Sequence, residues 1–216
     1  MQVLETTLPD AKLVVPRVFP DDRGFFCETF RESVLAEHGI HDTWVQDNHS
    51  RSARGVVRGL HFQIGDGCAK LVRCGRGHIW DVVVDLREGS PTYGKWEGFD
   101  LTDENMHALY VPVGFAHGFA VISEVADVLY KQTAYYSGEV ERGIAYDDPE
   151  VGVRWPLESG DIQVSGGAGG VAASYEDMLS QADLLDLAES IATTKIEKGD
   201  AVTPNGLWKK IGRAHV

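Results

Sequence analysis

Residues 79–86 read Ile79-Trp-Asp-Val-Val-Val-Asp-Leu86. Successive side chains of a strand point to opposite faces, so Trp80, Val82, Val84 and Leu86 share one face, with Ile79, Asp81, Val83 and Asp85 on the other. The same grammar recurs on both sides of this run. Residues 125–130 bring Ala126, Val128 and Tyr130 together on one side. Turn signals punctuate the intervening chain: Asp22-Arg23-Gly24, Gly65-Asp66-Gly67, Glu88-Gly89-Ser90-Pro91 and Ser137-Gly138. Many short strands with frequent turns predict an all-β fold, a sandwich or small barrel. One brief helix is expected over residues 33–39, ended by Gly39. No internal repeat is visible.

The character changes after Trp155-Pro156. Residues 157–173 read as a linker with its glycines concentrated at 166–170, after which Ser174 is a candidate N-cap with Asp177 three residues on. Met178, Leu179, Ala182, Leu185 and Ala188 then follow helical spacing, predicting an amphipathic helix and tail over 174–210 that pack on a β domain formed by residues 1–156. The last residues, Ile211-Gly-Arg-Ala-His-Val216, match read-through of a common sequencing adapter and are set aside as non-native.

Composition narrows the partners. Lys and Arg number 20 against 33 Asp and Glu, a formal charge of −13, the wrong sign for neutralising nucleic-acid phosphates or an anionic membrane surface. The first ten residues carry Glu5 and Asp10 and no apolar run, unlike a signal peptide. No stretch approaches the roughly 20 apolar residues of a bilayer span. Cys27, Cys68 and Cys74 are odd in number and lack metal or disulfide spacing, which suits buried thiols in a reducing, cytoplasmic setting.

Chemistry concentrates where this acidic chain turns basic. Arg51, Arg54, Arg58, Lys70, Arg73 and Arg76 stand against Asp66 alone. Such a cluster reads either as a site for an anionic ligand or as a solvated strand face paired with acids elsewhere. His61 falls between Arg58 and Lys70, and cations nearby hold an imidazole deprotonated and ready to act as a base. Lys70 is placed to stabilise a developing oxyanion. Tyr130 is either a core tyrosine with its hydroxyl tied to backbone or a proton donor facing that base. Tyr135 and Tyr136 are adjacent on an extended chain, so at most one of them faces a ligand. Pro112-x-Gly114-x-x-His117 looks like the second metal motif of a cupin, but the first would need His-x-His where this chain has His61-Phe62-Gln63. One ligand of the usual set is missing, and no metal is expected.

Taken in order, several segments carry a family likeness: Val45-Gln-Asp-Asn-His-Ser50, Gly55-Val-Val-Arg-Gly-Leu-His-Phe-Gln63, Lys70-Leu-Val-Arg73, Asp85-Leu-Arg-Glu-Gly-Ser-Pro-Thr-Tyr-Gly-Lys-Trp96, Val111-Pro-Val-Gly-Phe-Ala-His-Gly-Phe119, Tyr130-Lys131, Tyr135-Tyr136 and Gly143-Ile-Ala-Tyr-Asp-Asp-Pro149. Together they resemble the dTDP-4-dehydrorhamnose 3,5-epimerases, over residues 3–156. The resemblance implies a cupin-like jelly roll, a homodimer, and no metal or other cofactor. The implied reaction inverts C3 and/or C5 of a dTDP-4-keto-6-deoxyhexose through an enolate. His61 resembles the family's base, Tyr130 its acid, and Lys70 the group beside the C4 oxygen. Arg23, Glu28, Gln46, Asp47, Asn48, Arg58, His117 and Glu141 resemble substrate contacts, and Tyr136 the aromatic that stacks on thymine. One position departs from the pattern: Ala168 stands where family members carry an Asp that pairs with the base. That departure makes a catalytically impaired sugar-nucleotide-binding protein the first alternative and a metal-dependent cupin enzyme the second.

Overall fold

A computed structural model describes residues 1–164. The expected helix and tail over 174–210, Ala168, and the segment 211–216 lie outside the described residues. The brief helix is α1 (Glu32–Glu37), closed by Gly39 with a φ of +83°, a conformation that costs glycine little.

The alternating pattern folds as two antiparallel sheets. The first runs in the order β1 (Gln2–Glu5), β2 (Lys12–Val15), β10 (Ala108–Val111), β7 (Lys70–Arg76), β12 (Val125–Gln132) and β5 (Gln46–Ala53). The second runs β13 (Glu141–Gly143), β6 (Val56–Gln63), β11 (Phe115–Val121), β8 (His78–Asp85) and β9 (Trp96–Thr102), and β14 (Gln163–Val164) pairs in parallel with β6. A separate hairpin joins β3 (Val18–Asp21) to β4 (Gly24–Cys27).

The two sheets pack face to face. Val72, Cys74, Leu109, Ala126 and Val128 of the first meet Ile79, Val83, Leu101, Phe119 and Val121 of the second in one apolar cluster. This is the sandwich that the periodicity predicts, with Ile79 and Val83 facing inward. Each aliphatic side chain buried there contributes about 1.5–3 kcal/mol by leaving water. On the outer face of the first sheet, Leu35 and Ile40 cover Val14, Leu71 and Ala108, and Tyr110 donates to Asp42 at 2.6 Å.

Two backbone features fix the geometry that matters later. Gly59 on β6 and Gly118 on β11 let their strands touch: a Cβ on Gly59 would lie 2.4 Å from the Gly118 Cα, and one on Gly118 2.7 Å from the Arg58 carbonyl oxygen. The loop after β8 is tied to Asp85, which accepts hydrogen bonds from Arg87 Nε at 2.9 Å and from Ser90 Oγ and Thr92 Oγ1, each at 2.6 Å. Burial opposes the charge on Asp85, yet those donors hold its carboxyl down at about 2.

Candidate active site

The apolar filling does not extend through the whole sandwich. Toward one end the inward positions turn polar: β12 passes from Ala126 and Val128 to Tyr130 and Gln132, and β7 from Cys74 and Val72 to Lys70. Because Gln132 pairs with both Lys70 and Gln46, these changes fall side by side. A cavity of about 410 Å³ opens there. The first sheet lines it with Gln46, Asn48, Ser50, Lys70, Tyr130 and Gln132; the second lines it with Arg58, His61, His117, Phe119 and Glu141, and Tyr136 joins from the loop after β12.

Nine of the twelve residues expected from sequence therefore share one cavity: His61, Lys70, Tyr130, Gln46, Asn48, Arg58, His117, Tyr136 and Glu141. The other three lie elsewhere within a single copy. Asp47 points to the opposite face of β5, where it pairs with Lys131 at 3.0 Å. Arg23, at the tip of the β3–β4 hairpin, is exposed and pairs with Asp21 at 2.6 Å. Glu28 pairs with Arg31. The basic cluster divides in the same way: Arg58 and Lys70 face the cavity, while Arg51 pairs with Asp127 and Arg54 with Glu124 on the outside. The acid-paired reading thus holds for Arg51 and Arg54, while Arg58 and Lys70 line the cavity. Of the two adjacent tyrosines, Tyr136 lines the cavity and Tyr135 is 72% exposed.

The electrostatics distinguish the titratable groups. Burial lowers the His61 imidazole from its ordinary value; Glu141 opposes this, while Lys70, His117 and Arg58 add to it. A neutral imidazole is a base. Burial also lowers the Lys70 amine, against the pull of Cys68, Glu141 and Asp81. The Tyr130 phenol is raised by burial and then by Glu141, with Arg58 opposing, so it holds its proton until a strong base demands it. The Glu141 carboxylate beside its hydroxyl likewise raises Tyr136.

Polar partners hold this lining in place. Gln46 Nε2 donates to Asn48 Oδ1 at 2.9 Å, Asn48 Nδ2 donates to Gln132 Oε1 at 2.7 Å, and the Tyr136 amide donates to Gln46 Oε1 at 3.1 Å. Arg58 Nε donates to Ser52 Oγ at 2.9 Å. On the cavity floor, His117 Nε2 lies 2.6 Å from Asp81 Oδ1. Sequence reasoning missed Ser50, Ser52, Asp81, Phe119 and Gln132. Two of them had a signal: Asp81 is an acid on the same strand face as Ile79 and Val83, and Gln132 shares the face of Tyr130. Among the described residues, no three His, Cys, Asp or Glu side chains form a cluster able to hold a metal ion.

The sequence profile described as dTDP-4-dehydrorhamnose 3,5-epimerase matches residues 5–184. The chain belongs to that epimerase family. A dTDP-4-dehydrorhamnose 3,5-epimerase from Pseudomonas aeruginosa is 50% identical over 163 residues, covering 75% of this chain and 90% of that protein. One from Neisseria gonorrhoeae is 49% identical over 162 residues, and there the match spans about half of the relative's length, 49%, and 75% of this chain. Among solved structures, a Legionella pneumophila dTDP-6-deoxy-D-glucose-3,5-epimerase in complex with dTDP-4-keto-L-rhamnose superposes with a TM-score of 0.74 at 44% identity, over 76% of this chain and 88% of that one. The epimerase fold is thus shared well beyond the cavity. Among the described residues no helix is long and apolar enough to cross a membrane.

Proposed function

We propose that the protein inverts C3, C5 or both in a dTDP-linked 4-keto-6-deoxyhexose, with His61 as base, Tyr130 as acid and Lys70 beside the C4 oxygen. The observation that carries this reading is that an imidazole kept neutral and a phenol kept protonated enter one cavity from opposite sheets, with an amine from β7, the strand beside that of the phenol. Protons on carbon next to a ketone are weakly acidic. Their removal by a histidine requires the enolate oxygen to be stabilised as charge develops, in a site that limits water. Lys70, with Arg58 nearby, supplies positive charge for that oxygen. Inversion further requires the proton to return to the face opposite the one it left, which is the service of a donor on the facing sheet. Tyr136, an exposed aromatic on the cavity lining, suits the thymine base, and Gln46, Asn48, Arg58, His117 and Glu141 suit the sugar and phosphates.

Arg23 and Glu28 lie outside the cavity of their own copy, and the hairpin near them exposes Phe25 at 59% and Phe26 at 69%. Exposed aromatics of this size favour a covering partner. This supports a homodimer in which the hairpin packs on a second copy and brings Arg23 and Glu28 to the partner's site. The free thiols of Cys27, Cys68 and Cys74 support the cytoplasm as its compartment.

Incubation with the 4-keto sugar nucleotide in deuterated water tests the assignment. Deuterium is expected at C3, C5 or both, and NMR of the product reads which. Binding of dTDP with no incorporation would instead identify a binding protein. Stoichiometric iron or zinc that is needed for turnover would identify a metal-dependent enzyme.

A further inference from the structure

Three hydrogen bonds along the first sheet's wall of the cavity form a chain with a fixed direction. It begins at the Tyr136 amide, which donates to Gln46 Oε1 at 3.1 Å. A main-chain N–H can only donate, so the Gln46 atom that faces it is the oxygen. The Gln46 nitrogen then faces Asn48 and donates to its Oδ1 at 2.9 Å. Asn48 in turn donates from Nδ2 to Gln132 Oε1 at 2.7 Å. Each amide accepts at one end and donates at the other, so the start of the chain dictates its finish. What is left over is Gln132 Nε2, an N–H donor with no acceptor among the described residues. Gln132 is 6% exposed and lines the cavity, so that donor opens onto the ligand space. Its position supplies a target. Gln132 stands opposite Lys70 in the pairing of β12 with β7, and both side chains line the cavity. Residues paired in this way lie within about 5.5 Å of one another at Cβ, close enough for two long side chains to meet one atom between them.

We propose that Gln132 is a specificity-determining residue that donates from Nε2 to the C4 oxygen of the sugar beside Lys70, and that the Tyr136 amide sets the sense of that donor through Gln46 and Asn48. The inference rests on the epimerase reading and deepens it. A ketone oxygen only accepts hydrogen bonds, and so does the enolate oxygen that follows it. A C4 hydroxyl also carries a proton that needs an acceptor. A donor held at this point therefore favours the keto sugar over its 4-hydroxyl counterpart. Aimed where charge develops, it also lowers the barrier to enolate formation. The chain starts in the loop that carries Tyr136, so a nucleotide that holds this loop in place also holds the donor.

The test uses the full chain with dTDP, with the 4-keto substrate, and with a dTDP-linked 6-deoxyhexose that has a hydroxyl at C4 and cannot form the enolate. Gln132→Met keeps the length of the side chain and removes the donor. It is expected to lower kcat about 100-fold, the usual cost of one oxyanion donor, with the calorimetric affinity for dTDP within about threefold of wild type. Gln46→Glu turns the chain round. A carboxylate accepts from the Tyr136 amide but has no N–H for Asn48, so Asn48 donates back to it, Gln132 donates to Asn48, and the Gln132 oxygen faces the sugar. This variant is expected to lose about 100-fold in kcat and to bind the 4-hydroxyl nucleotide, relative to dTDP, about tenfold more tightly than wild type does. In the double variant that gain should vanish and kcat should fall no lower than in Gln132→Met, because Gln46 acts on C4 through Gln132. A merely structural role would weaken every ligand together. A cooperative thermal melt identifies folded variants; should one single variant lack it, the other decides. An unchanged kcat or a parallel loss of dTDP affinity in Gln132→Met, or a wild-type ratio of affinities in Gln46→Glu, would overturn the proposal. The affinities need no turnover, so a wild-type protein that exchanges no deuterium, while Gln46→Glu still shifts the ratio, would refute the epimerase reading and leave Gln132 as the group that reads C4.

Discussion

The two halves of the sandwich share strands β7, β11 and β12 and differ in what those strands point inward. In the closed half Val72, Cys74, Val83, Leu109 and Val128 interlock as an apolar solid. In the open half the continuations of the same strands present Lys70, Tyr130, Gln132 and His117 to a cavity. The first half is stabilised by leaving water, whereas the second keeps polar groups that a tighter core would exclude. Stability and chemistry thus occupy opposite ends of one scaffold, and a substitution should disturb one without the other.

The largest effect is expected at the open end. His61→Ala should lower deuterium incorporation by about 1,000-fold, within the usual range for a general base, and leave the melting temperature close to wild type. Equal loss of both would merge the two halves. Tyr130→Phe sharpens the contrast within the cavity itself. Proton removal by His61 should persist, so exchange at the substrate carbon stays within about tenfold of wild type, while inversion falls by about 100-fold. Parallel loss of exchange and inversion would take the acid role from Tyr130. In the closed half, Leu109→Ala should cost about 3 kcal/mol of folding free energy, read by chemical denaturation, with kcat unchanged in the folded fraction. The smallest effect concerns pH. A base must be unprotonated, and burial lowers His61, so the acid limb of kcat/KM should lie below the ordinary histidine value and activity should persist as the pH falls past it. A limb displaced above that value would assign the base to another group.

Much of this division was legible in the sequence because it follows from alternation. Once residues 125–130 are a strand, Ala126, Val128 and Tyr130 must share a face, and the position of Tyr130 at the end of an apolar series marks the border between the halves. The family motifs supplied the remaining cavity residues, since His61, Lys70 and His117 are far apart along the chain and only the strand order brings them together. Alternation alone could not locate Arg23 or Glu28, because it leaves undetermined which way a hairpin tip or loop faces within one copy, whereas it does set Asp47 on the face of β5 opposite Gln46 and Asn48. Nor could it separate Arg58 from Arg51 and Arg54, whose acid partners Asp127 and Glu124 lie 76 and 70 residues away. Asp81 was visible as an acid on an apolar face, but its partner depended on a pairing of β8 with β11 that no local pattern encodes.

The contact between Gly59 and Gly118 governs how such an enzyme can vary. The separation of β6 from β11 is set by main chain resting on main chain, not by the bulk of any neighbouring side chain. The two imidazoles flanking that contact are therefore indexed to a hard stop. Drift in the aliphatic filling can loosen the molecule and lower its melting point while their mutual distance holds, whereas a single methyl group at either glycine would wedge the strands apart and detune both rings at once.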